Sequence, residues 1–175
     1  MNAPTLTTHV PEVAPVPTGR RLRPRADAQR PKQPLPVPAL AALQALRHTM
    51  NRAALSVPGP PYVLLYALTG PGQETHDDLA AIRGYAAAKH LTVHEPPIVD
   101  ALDDTDVRTG GDDPLLRRGY ARALQLLADP ACPVRGVVAV SRTAITIADR
   151  LYQDQLTWYA AQQAGLWLIR SETQI

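Results

Sequence analysis

The sequence predicts an α/β fold: a three-layer αβα arrangement around a mostly parallel sheet of about four strands, preceded by a disordered Pro/Arg-rich tail and one helix. Three observations predict it. Tyr62 to Leu68 is an unbroken apolar run that halts at Gly70-Pro71-Gly72, as a buried parallel strand does where it reaches a crevice. Val134 to Val140 is a second such run, rich in β-branched residues. Between and after them lie stretches whose apolar residues recur at helical spacing.

Residues 1–37 read as a disordered tail. Pro11, Pro15, Pro17, Pro24, Pro31, Pro34 and Pro36 remove backbone donors and favour extended polyproline II, and large apolar side chains are nearly absent. The charge is uneven. Eight of the 18 basic residues but only two of the 16 acidic ones precede Pro61, so the first 60 residues carry +6 and the rest −4, with His neutral. A basic arm on an acidic body suits a polyanion, and Arg20, Arg21, Arg23, Arg25, Arg30 and Lys32 are its candidate phosphate contacts on DNA.

Residues 38–61 read as an amphipathic helix and a linker. From Pro38 to Val57, Leu43, Leu46, Met50 and Ala54 form one stripe while Arg47, His48 and Arg52 face elsewhere. The stripe serves either to pack on the following domain or to pair two copies as a homodimer. Ser56 to Pro61, with three prolines and a glycine, ends the helix.

Residues 62–175 read as the α/β domain. After the strand Tyr62–Leu68, Glu74 to His90 is a helix with Glu74, Asp77 and Asp78 where the dipole favours acids, and Leu79, Ile82, Tyr85 and Ala86 on its apolar face. Leu91 to Val99 is a strand interrupted by Pro96-Pro97, hence an edge strand. Asp100 to Asp113 is an acidic loop. Pro114 to Ala128 is a helix capped by Asp113, with Leu115, Gly119, Arg122 and Leu126 along one side. A long helix starting at Thr143 or Thr146 reaches Gln163 and is closed by Gly165, and Leu166 to Arg170 is the last strand. The two most apolar strands, Tyr62–Leu68 and Val134–Val140, should lie side by side at the centre, with any ligand past their C-terminal ends between Thr69 and Ser141.

Composition bounds the rest. No apolar run is long enough to span a membrane, and no compact apolar segment follows a basic start, so neither a membrane helix nor a secretory leader is expected. Cys132 stands alone and can form no internal disulfide, which fits a cytoplasmic setting. Gly70-Pro71-Gly72 lets backbone amides approach an anion, so Thr69, Gly70, Gly72 and Arg142 are candidate anion-binding residues. The stretch has neither the Gly-Lys-Ser/Thr of a Walker loop nor Gly-x-Gly-x-x-Gly spacing. His90, His94 and Glu95 lack a ligand geometry, and the aspartates between Asp100 and Asp113 lack EF-hand spacing, so neither metal nor cofactor is expected.

Tyr66-Ala67-Leu68-Thr69-Gly70, and Val137-Val138-Ala139-Val140-Ser141-Arg142 further on, resemble the strands of serine recombinases of the resolvase/invertase family. The first corresponds to that family's Tyr-x-Arg-Val-Ser signature, the second to its strand entering Asp-Arg-Leu-x-Arg. The resemblance extends from Tyr62 to Glu172 and implies a resolvase-like sheet and DNA as partner. In the family a serine attacks a DNA phosphodiester and clustered arginines stabilise the transition state. Here Gly70 occupies the serine position, Leu68 that of the first-strand arginine, and only Arg142 remains of the second motif. Loss of a single transition-state donor costs about 10²–10³ in rate, so the resemblance implies a recombinase-like protein without catalysis. Thr69 and Ser141 are the weak substitutes for the nucleophile, and neither has a His–Asp partner nearby in sequence.

Two function classes follow. One is a non-catalytic, DNA-associated or regulatory protein acting through its basic arm. The other is a small α/β domain that binds or turns over a phosphorylated small molecule at the Thr69–Gly72/Arg142 crevice.

Overall fold

The computed structural model describes residues 37–70, 74–102 and 113–172. Four strands, β1 (Tyr62–Thr69), β2 (Thr92–Ala101), β3 (Val134–Ala139) and β4 (Gly165–Leu168), form an all-parallel sheet in the order β2-β1-β3-β4. The helices are α1 (Val37–Ser56), α2 (His76–Ala88), α3 (Arg118–Ala128), the single turn α4 (Arg142–Ile145) and α5 (Asp149–Ala161). The α/β class, the parallel sheet and the central pair of strands are as the apolar runs predict. Among the described residues no helix is long and apolar enough to cross a membrane.

Side-chain alternation along the strands sorts the core into two layers. Leu64, Tyr66, Val137, Ala139, Leu166 and Leu168 face α3 and α5, meeting Tyr120, Leu124, Tyr152, Leu156 and Tyr159. Val63, Leu65, Val138 and Trp167 face the other way, against Ile82 and Ala86 of α2. Helix α1 feeds both layers, with Leu43 and Met50 in the first and Ala54 in the second.

The two edges of the sheet are protected differently. On β2 the pairing with β1 jumps from Leu64↔His94 to Tyr66↔Ile98, so Pro96 and Pro97 sit in a bulge where their missing N–H groups break no ladder bond. On β4 the edge is covered by α1. The Asn51 side chain accepts from Leu166 N–H at 2.8 Å and donates to Leu166 C=O at 2.9 Å, satisfying both backbone groups as a fifth strand would. The linker from α1 to β1 is held by Arg135 of β3, whose guanidinium donates to the carbonyls of Val57 and Pro58, each at 2.6 Å.

Several expectations need correction. The helix expected over Pro114–Ala128 is a 3-10 turn, Pro114–Leu116, followed by α3 from Arg118. Asp113 caps the turn, accepting from Leu115 N–H at 3.0 Å, and does not cap the helix. The later start rotates the buried face to Tyr120, Ala123, Leu124 and Leu127, leaving Leu115 and Arg122 exposed. The long helix expected from Thr143 or Thr146 is broken between α4 and α5, because Thr146 is extended and its Oγ1 accepts from Ala148 N–H at 3.1 Å. Gly165 does not close α5: Gln163 takes the left-handed conformation, φ 53°, and Gly165 opens β4. Helix α2 runs from His76 to Ala88, not from Glu74 to His90; His90, just beyond it, is left-handed, φ 56°. Asp100 belongs to β2 and not to a loop. Arg47, expected to face outward, is buried.

Candidate functional site

Thr69 is the last residue of β1, and Ser141 and Arg142 follow β3, so the strands deliver all three to the C-terminal end of the sheet. Each is engaged within the fold. Thr69 is buried and its hydroxyl donates to the carbonyl of Asp100 at 3.2 Å. The Ser141 hydroxyl, also buried, shares a 2.6 Å hydrogen bond with that of Thr143. The Arg142 guanidinium donates to the Ile147 carbonyl at 3.0 Å, pairs with Asp149 at 2.6 Å, and lies 5.5 Å from the centroid of the Tyr152 ring. Gly70 is half-buried at the end of β1. Gly72, and the arm residues Arg20, Arg21, Arg23, Arg25, Arg30 and Lys32, lie outside the described residues.

Behind this end of the sheet is a polar network that the sequence did not reveal. The Asp100 carboxylate accepts from the backbone N–H groups of Gly119 and Tyr120, each at 2.8 Å, and from the Tyr66 hydroxyl at 3.1 Å. A strand-end carboxylate thus satisfies the open N-terminus of α3, where the helix dipole favours negative charge. Position 119 must be glycine for this approach, because a Cβ there would stand 2.7 Å from Asp100 Oδ1 and from Ile98 Cγ2. Arg117, just before α3, donates to the carbonyls of Ala144 and Ile145 at 2.8 and 3.0 Å and approaches the Tyr66 hydroxyl at 3.5 Å. It ties β1, α3 and α4 together.

The tyrosines deepen this network. Tyr66 and Tyr120 meet edge to face at 5.3 Å, and the Tyr120 hydroxyl lies 3.1 Å from Gln155 Oε1 and 3.3 Å from the Tyr159 hydroxyl. Burial pushes the phenols of Tyr66, Tyr120 and Tyr159 well above the usual tyrosine value, with Arg117 opposing the rise at Tyr66. Neutral phenols in a closed set of hydrogen bonds position helices; none is poised as a nucleophile.

A second cluster joins α1, α5 and the chain after β4. Arg47 donates to both oxygens of Glu172, at 2.5 and 3.1 Å, and the Tyr152 hydroxyl donates to Glu172 Oε1 at 2.9 Å. Burial alone would raise the Glu172 pKa, but the Arg47 hydrogen bond and charge, helped by Tyr152, hold it below the usual carboxylate value. Burial likewise disfavours the Arg47 cation, and Glu172 more than offsets it.

Among the described residues no three His, Cys, Asp or Glu side chains converge as metal ligands. Comparison with family models, with curated proteins and with solved structures finds no match for this chain.

Proposed function

We propose that this chain is a non-catalytic protein of the serine-recombinase type that associates with DNA, in a regulatory role, through its basic N-terminal arm. The observation that carries the reading is the state of Arg142. It is the one arginine retained from the family's second motif, and its charge is held by Asp149 at 2.6 Å and its face by Tyr152. A phosphoryl transition state would find that cation already neutralised. Leu68 and Gly70 supply no replacement for the missing arginine and serine, and the hydroxyls of Thr69 and Ser141 are each hydrogen-bonded to neighbours. The strand order is shared by other doubly wound sheets and carries no family by itself.

The alternative, a phosphorylated small molecule held by Thr69, Gly70, Gly72 and Arg142, requires Arg142 to exchange Asp149 for the phosphate. The first 60 residues carry +6 in sequence, which favours the polyanion reading.

The test compares the full chain with a full-length variant in which Arg20, Arg21, Arg23 and Arg25 are all alanine, by fluorescence anisotropy of labelled duplex DNA over a range of salt. Each neutralised phosphate adds about −0.9 to the slope of log K against log salt, so four to six contacts give a slope of about −4 to −5. We expect that slope for the full chain, little discrimination between sequences, and loss of most of the slope in the variant. A variant that binds as tightly as the full chain would remove the arm from the reading.

A further inference from the structure

Of the two edges of the sheet, β4 is closed by Asn51, whereas β2 stays open where it is most regular. Past the Pro96-Pro97 bulge, β2 pairs with β1 without a break, from Tyr66↔Ile98 to Thr69↔Ala101. The Leu102 N–H donates to the Thr69 carbonyl at 2.8 Å, which fixes the phase of this ladder. Ile98, Asp100 and Leu102 turn their backbone groups towards β1, so Val99 and Ala101 turn theirs away from the sheet. Among the described residues no element pairs with those outward groups. The side chains agree. Ile98 packs against the core layer below α3, but Val99 joins neither layer and is 43 % exposed. Ala101 is exposed as well.

The usual guards of an open edge are missing from this stretch. A charge, a proline or a bulge keeps an edge strand from pairing. Here the prolines and the bulge come before Ile98. The Asp100 carboxylate is turned inward to the amides of Gly119 and Tyr120. Glu95, on the same strand, is paired with Arg83 at 2.8 Å. Residues 98–101 therefore present a bare ladder with an apolar side chain, which another strand can continue.

Two features select the occupant. The open stretch is short, and a flexible peptide would have to be ordered for the few hydrogen bonds it offers. A strand already held in a sheet has no such cost. The second feature is self-complementarity. When two identical strands pair antiparallel across a two-fold axis, the residue on the axis exchanges both N–H···O=C bonds with its own copy. An axis at Val99 joins two outward-facing backbones and sets two exposed β-branched side chains together. An axis at Asp100 would instead set two carboxylates opposite one another, which is unfavourable. The apolar stripe of α1, the other surface suited to pairing two copies, is taken up by the chain's own core through Leu43, Met50 and Ala54.

We propose that the β2 edge at residues 98–101 is a homodimerisation site, where β2 of a second copy adds antiparallel with Val99 on the two-fold axis. The two four-stranded sheets then form one continuous sheet. An edge contact of this length belongs with interfaces below about 1,200 Å², so the dimer is weak and forms as concentration rises.

Sedimentation velocity of the full chain from about 5 to 500 µM should show the 19.0 kDa monomer moving towards twice that mass. Val99→Pro removes an N–H that bonds nothing within the chain, so the ladder to β1 survives, and it should weaken the dimer at least about tenfold. Ala101→Lys sets a charge on the same edge and should also weaken it, which keeps the test decisive if the proline variant fails to fold. For the register, Val99→Cys and Ala101→Cys are each made with Cys132→Ala, which removes the chain's one native cysteine, and are then oxidised. With the axis at Val99, the two Val99 Cα atoms stand about 5.5 Å apart, within disulfide range. The two Ala101 residues are then offset by about 13 Å along the strand. Val99→Cys should give a cross-linked dimer and Ala101→Cys should not. A monomer at every concentration would overturn the proposal. So would a dimer unmoved by Val99→Pro and Ala101→Lys, which would place the contact on another surface. Cross-linking through Ala101→Cys and not through Val99→Cys would overturn the axis at Val99.

Discussion

Just past β3, polar side chains are satisfied by close neighbours in sequence; the buried polar side chains of α1 are satisfied from the far end of the domain. Ser141 bonds to Thr143, and Arg142 to Ile147 and Asp149. Arg47, by contrast, finds Glu172 at a separation of 125 residues, and Asn51 finds Leu166 at 115. The first kind of bond shapes a loop. The second kind fastens a helix to a sheet, and its partners are buried together, so either one alone is a charge or amide stranded out of water. A buried polar seam that stability depends on therefore lies at α1, although the sequence drew attention to the strand ends.

Breaking the α1 seam should have the largest effect. Glu172→Ala leaves the Arg47 guanidinium buried without its carboxylate and the Tyr152 hydroxyl without its acceptor, and we expect a loss of about 3–5 kcal/mol in urea unfolding. Replacing both partners with apolar residues, Arg47→Met with Glu172→Leu, should cost far less, because no charge is then stranded. A single substitution as mild as the double one would show that the pair is not coupled. The same pair sets an acid limit. Glu172 has a folded pKa below its unfolded value of about 4.3, so its stabilisation is complete above that value and is lost as pH falls through the folded one. Unfolding free energies between pH 7 and 3 should fall more steeply in the wild-type chain than in Glu172→Gln.

Asn51→Ala comes next. It removes the surrogate strand at the β4 edge, leaving the N–H of Leu166 without its side-chain acceptor and its C=O with only the longer, 3.5 Å bond from Arg47, for an expected loss of about 1–3 kcal/mol by the same unfolding measurement. The smallest effect belongs to the strand ends. Ser141→Ala removes a hydrogen bond to a neighbour two residues on and Thr69→Val one bond, at 3.2 Å, to the Asp100 carbonyl, and we expect about 1 kcal/mol or less for each. Losses there that exceed those at Asn51 would invert the comparison.

The same distinction explains what could be read from the sequence. Tyr62–Leu68 and Val134–Val140 are apolar enough to identify the central strands, and Pro96-Pro97 identifies an edge. Breaks in helices were not legible, because they answer to tertiary bonds. The chain turns at Arg117 where its guanidinium holds the carbonyls of Ala144 and Ile145, and at Thr146 where a hydroxyl takes the next backbone donor. Arg47 read as a solvent-facing charge because nothing near it in sequence could neutralise it. Asp100 read as one more acid of an acidic loop, since the helix it caps starts 18 residues later. Gly119 reads in the sequence as a helix-face position, but its lack of a Cβ is what admits that carboxylate.

The most direct test of the central claim, that the strand-end residues are structural and perform no phosphoryl chemistry, is to incubate the full chain with supercoiled plasmid and divalent metal and resolve the products on a denaturing gel. We expect intact supercoiled DNA and no protein-linked species, from the wild-type chain and from Thr69→Ala and Ser141→Ala alike. Nicked or linear product carrying covalently bound protein, present in the wild type and absent in either variant, would contradict it and make that hydroxyl the nucleophile.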